Sequence, residues 1–209
     1  MKTFIFALFA FCLISTTFAS ASEYDTLCIA ARTGDVNGTI NSLQRLGRES
    51  VQNGYEESAP LNSFLCEHGT VLSEAVFAGQ TAVIQSLLSN PKINVNSYGR
   101  VDIDASAQGE TWMEITPLGI ASYLGNLQIM KLLLAAPGID VVGMNENRAQ
   151  DDTFDTPVLT AAVYGNQLFA VKLLLTEPGI RKDVVSVRFG KTALQIAADK
   201  GYKEIINLL

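Results

Sequence analysis

The chain has 209 residues, 48% of them apolar and 17% charged, a globular profile that excludes a low-complexity or disordered polymer. Its formal net charge is −6, and an acidic surface argues against nucleic acid and against anionic membranes as partners. The length suits one ordinary domain or a short repeat array.

The first element is "MKTFIFALFAFCLISTTFASA", with one lysine, an apolar run from Phe4 to Ile14, and small residues before Ala21. That order is a secretory signal peptide over residues 1–21, cut after Ala21. The run is too short for the roughly 20 residues of a spanning helix. No stable membrane insertion is therefore expected after cleavage, and residues 22–209 are expected to be exported, into the extracellular space or a bacterial periplasm. Cys12 leaves with the leader, so Cys28 and Cys66 remain. Two cysteines in an exported chain suggest one disulfide. Two buried free thiols are the alternative, since Cys28 lies in the apolar run "LCIAA". Asn37, in "NGT", is a candidate N-glycosylation site in a eukaryotic host.

One pattern then recurs along the chain: "DTLCIAARTGD", "TVLSEAVFAGQ", "TPLGIASYLGN", "TPVLTAAVYGN" and "TALQIAADKGY". Each copy reaches a glycine at the same offset, namely Gly34, Gly79, Gly125, Gly165 and Gly201. Threonine suits the N-cap of a helix, and proline its first position. Glycine suits the left-handed residue that ends it. A second amphipathic helix follows each glycine. In "NLQIMKLLL" the residues Leu127, Met130, Leu133 and Leu134 fall on one apolar face. The strings "NPKINVN", "APGIDVV" and "EPGIRKDVV" stop these helices, because proline cannot continue them.

On "TPLGIASYLGNLQIMKLLLAAPGIDV", "TPVLTAAVYGNQLFAVKLLLTEPGI" and "GKTALQIAADKGYKEIINLL" the chain resembles the ankyrin-repeat family. The fold implied is an all-α repeat solenoid of stacked helix–turn–helix units joined by enlarged β-hairpin finger loops. About five repeats are expected, near residues 25–64, 65–110, 111–150, 151–187 and 188–209. The chain departs from the family pattern in three respects. The usual histidine after the T-P-L opening is replaced by Cys28, Ser73, Gly119, Leu159 or Gln195. The glycines are 36 to 46 residues apart, against the ~33 of an ankyrin unit, which enlarges the fingers. Finally, "INLL" stops within a second helix without the polar face a terminal repeat needs. This predicts either that the sequence is a piece of a longer chain or that its last helix docks on something.

No catalytic constellation emerges. His68 lies two residues from Cys66, but both fall in one loop with no third group to orient them. One histidine and two distant cysteines cannot make a four-ligand zinc site. "FGKTAL" lacks the earlier glycine of a phosphate loop, Val185 standing in its place. The acidic stretches 102–110 and 145–156 lack calcium-loop spacing. A non-enzyme is expected, with no metal and no cofactor.

The resemblance implies a protein partner, of unknown identity, bound on the concave face and the finger tips. The family's contact positions, two and one before the terminal glycine, are here Arg32/Thr33, Phe77/Ala78, Tyr123/Leu124, Val163/Tyr164 and Asp199/Lys200. The middle three are apolar or aromatic, and neighbouring fingers add Trp112, Met113 and Phe154. The expected partner-binding set is therefore Phe77, Trp112, Met113, Tyr123, Leu124, Phe154 and Tyr164, since aromatic anchors within a polar rim carry interfaces. A structural or protective envelope role is the alternative, and an inhibitor or accessory of another enzyme a weaker one.

Overall fold

The computed structural model describes residues 21–63, 65–103, 112–143 and 156–209. Residues 1–20, where the signal peptide is expected, the tip of the first long finger and nearly all of the second, with Phe154, lie outside the described residues.

Helices come in antiparallel pairs. They are α1 (Ala21–Thr33) with α2 (Val36–Gln52), and α4 (Val71–Phe77) with α5 (Thr81–Leu88), the single-turn α3 (Ala59–Asn62) lying between these pairs. Then come α6 (Pro117–Leu124) with α7 (Leu127–Leu134), α8 (Val158–Tyr164) with α9 (Leu168–Leu174), and α10 (Ala193–Lys200) with α11 (Lys203–Ile206). The first helices pack side by side in the order α1, α4, α6, α8, α10. Behind them α2 packs on α5, and α7 on α9 and then α11.

Two small hairpins link successive pairs. Strand β1 (Gly99–Asp102) runs antiparallel to β2 (Trp112–Ile115), and β3 (Val185–Ser186) to β4 (Lys191–Thr192). The core is continuous through the first helices, from Leu27 and Leu72 through Leu118 and Ile120 to Leu159 and Ile196. Burying each such Leu or Ile contributes roughly 1.5–3 kcal/mol. The small residues Ala121, Ala161, Ala162 and Ala197 are fully buried between adjacent first helices.

The repeated threonines mostly act as caps. Thr70, Thr116 and Thr192 each accept a backbone N–H from the residue three places on, and Thr192 forms a reciprocal box with Gln195. Two copies depart from the expectation. In the first, α1 runs on from Ala21, so Thr26 is mid-helix and is not its N-cap. In the fourth, Pro157 is the N-cap and Thr156 instead meets Ser186, hydroxyl to hydroxyl, at 3.2 Å.

The glycine rule also has one exception. Gly34, Gly79, Gly125 and Gly201 are left-handed, with φ between 70° and 84°. Gly165 has φ −75°, and the next residue, Asn166, takes the positive φ of 55°. Gly165 serves contact instead, because a Cβ there would lie 2.2 Å from the carbonyl oxygen of Tyr123 on the neighbouring helix. Gly165→Ala is expected to cost about 1–3 kcal/mol as overpacking against rigid backbone. Chemical denaturation measures this, and an unchanged midpoint would show that α6 and α8 separate freely.

Asparagines join successive turns. Asn62 donates to the carbonyl of Lys92 and accepts from the amide of Asn94. Asn96 does the same one unit on, donating to Gly138 and accepting from Asp140.

Candidate functional site: an aromatic row along the first helices

Hairpin register decides between two neighbouring candidates. Met113 pairs with Val101 and both point into the core, whereas Trp112 pairs with Asp102 on the other face and is half-buried. Successive strand residues point to opposite sides. Met113, expected as a contact, is thus corrected: it is 0% exposed and belongs to the scaffold.

Tyr123 and Leu124 close α6, the tyrosine half-buried and the leucine 38% exposed. Phe77 ends α4 half-buried, its ring stacked on His68 with centroids 3.5 Å apart. Tyr164 ends α8 half-buried, stacked on Phe189 at 4.7 Å, with the Lys200 ammonium 4.1 Å from its ring centroid. The Arg100 guanidinium lies 5.9 Å from the Trp112 ring. Burial first, then the nearby Tyr164 and Asp102, push the Tyr123 hydroxyl above its ordinary titration range. Phe77, Tyr123 and Tyr164 end α4, α6 and α8, which pack side by side, and Trp112 lies on the hairpin before α6, so the four form a row by position. Phe154 falls outside the described residues.

At one end of the row lies a charged cluster that the sequence did not disclose. Glu74, on the inward face of α4, is 0% exposed. One carboxylate oxygen accepts from Arg32 Nε at 2.5 Å, and the other from the His68 amide at 3.0 Å and from Nδ1 at 3.1 Å. A carboxylate only accepts, so Nδ1 carries the hydrogen. Arg32 also reaches Glu67 at 2.8 Å, and Arg100 Nε donates to the Glu67 carbonyl. His68 therefore has the orienting partner that the spacing of Cys66 and His68 did not reveal. Beside it, a cavity of about 230 Å³ is lined by Glu67, His68, Arg100, Asp102 and Trp112.

Thiol chemistry at Cys66 is precluded, because Cys66 is bonded to Cys28, with α-carbons 5.4 Å apart. Of the two readings of these cysteines, the bridge is the one formed. It ties α1 to the tight turn that carries His68. Asn37 is exposed in the first turn of α2, but Thr39 of the same sequon is buried, its hydroxyl donating to the Asp35 carbonyl. The sequon thus sits on a helix and not on the surface loop such a site usually occupies.

Burial alone would raise the Glu74 carboxyl, but hydrogen bonds from His68 and Arg32 outweigh it and hold the group below the ordinary carboxylate range. A depressed folded-state value means that the stabilisation is complete above the unfolded value, about 4.5. It is lost as pH falls through the lower folded value. Acid unfolding of the wild-type chain is therefore expected to steepen below about pH 4.5. Glu74→Gln should flatten that limb, and identical acid profiles would remove Glu74 from the account.

Residues 118–209 match the family model for ankyrin repeats, in three copies. The match takes in almost all of α6 and then every helix to the last, including Tyr123 and Tyr164. A search of curated proteins found no match to the chain. Ankyrin repeats are typically protein-binding modules rather than catalytic ones, and Tyr123 and Tyr164 lie where first helices of the matched region end.

Proposed function

We propose that the repeats of residues 118–209 continue through α1–α5 as one five-repeat solenoid, exported from the cell, that binds a protein partner on its concave face and finger loops. The observation that carries this is the row of half-buried rings, Phe77, Trp112, Tyr123 and Tyr164, at the ends of successive first helices and the adjoining hairpin. Rings fixed by stacking or by a cation above them lose little freedom on binding, so their burial goes into affinity. Arg100, Lys200, Glu67 and Asp102 supply a charged rim around them.

Export is supported by the leader-like composition of residues 1–21 and by the Cys28–Cys66 bridge, since such bridges persist in oxidising compartments. Among the described residues no helix is long and apolar enough to cross a membrane. Capture from the exported fraction, with wild-type and Trp112→Ala baits side by side, tests the proposal. A protein retained by the first and lost by the second supports it. Equal retention by both baits excludes the row as the binding surface.

A further inference from the structure

A second cavity, away from the aromatic row, lies between α1, α2 and α3. It measures about 350 Å³, within the range of small-ligand sites. Its walls are mostly apolar or aromatic: Leu46 and Tyr24 on one side, Pro60, Leu65 and Tyr55 on the other. Glu49 is the only charged residue among the described residues that line it. One Glu49 carboxylate oxygen is buried and accepts no hydrogen bond among the described residues. Tyr24 lines the same cavity, and burial, then the Glu49 charge, raise its titration.

Glu49 brings a negative charge to an otherwise uncharged, mostly apolar lining, and a charge beside apolar surface favours a ligand of opposite charge. A neutral donor would gain a hydrogen bond from the carboxylate, whereas a cation would gain a charge-assisted one. A carboxylate or phosphate ligand would be repelled by Glu49. The apolar walls favour a ligand whose cation is attached to a hydrocarbon body.

We propose that this cavity binds a small organic ammonium, its nitrogen against Glu49 and its apolar body between Tyr24, Leu46 and Pro60. The site is independent of the aromatic row, so binding here and partner capture there succeed or fail separately.

Isothermal titration of the purified chain with 2-phenylethylammonium, 2-phenylethanol and 3-phenylpropionate tests the proposal directly. The ammonium should bind, the alcohol at least about tenfold more weakly, and the acid not measurably. Glu49→Gln should lose about tenfold or more for the ammonium while retaining the wild-type melting temperature. Tyr24→Phe, which keeps the ring, should retain most of the affinity and guards against a fold defect in the first variant. Amide shift changes on titration should centre on residues 46–61. Equal affinity for ammonium and alcohol, an unchanged Glu49→Gln variant, or shifts centred elsewhere would each overturn the site.

Discussion

Opening the Cys28–Cys66 bridge is expected to cost about 4 kcal/mol, the loop-closure value for its separation of 38 residues. The loss should exceed this simple figure in its local consequences. Cys66 and His68 share one tight turn, held by hydrogen bonds between Cys66 and Gly69. His68 donates twice to Glu74, whose other oxygen holds Arg32 on α1. Once the bridge is open, α1 and that turn are joined only by contacts that depend on both staying in place. Urea unfolding of the wild type with and without reductant, beside the Cys28→Ser/Cys66→Ser variant, measures the effect. Amide exchange should rise first in α1 and α2, while α8 and α9 keep their protection. Coincident unfolding curves for oxidised and reduced protein would show that the bridge contributes nothing.

The second large effect concerns binding. Trp112→Ala and Tyr123→Ala are each expected to weaken partner association by at least about 30-fold, the loss of a 2 kcal/mol anchor. Their melting temperatures should fall by only a few degrees, since both rings are half-buried. Met113→Ala should do the reverse. That side chain is fully buried, and truncation of such a methionine costs about 2–5 kcal/mol of stability. The contrast between residues 112 and 113, adjacent in sequence, makes the test sharp. If Met113→Ala weakened binding without unfolding, or Trp112→Ala unfolded the chain, the assignment of the two faces would be reversed.

The helix pairs were legible because their signals are local: an apolar stripe and a glycine recur in each copy, and a capping threonine in three of them. The helix-end positions of Phe77 and Tyr123, two residues before their glycines, and of Tyr164, one before, were legible for the same reason. Met113 was misplaced because "ETWMEI" alone does not say which strand residue faces inward; its pairing with Val101 settles that. Asn166 and Gly165 exchange roles because the close approach to Tyr123 is a property of two helices, not one. The Glu74 cluster draws on three separate segments, so no single stretch announced it. One signal was present: Glu74 is a charge amid the apolar stripe of "TVLSEAVFAG", where only a partnered carboxylate is tolerated.

The paired asparagines Asn62 and Asn96 bear on how this chain can change length. Each contacts the next unit's turn at two points two residues apart, through one amide that both donates and accepts. An inserted residue between those points would break the match at once, leaving one group unpaired. The spacing between repeat glycines, by contrast, varies from 36 to 46 residues, and the fingers take up that variation. Engineered loops, tags or grafted epitopes therefore belong in the fingers, while the turns after the second helices act as fixed spacers for the whole array.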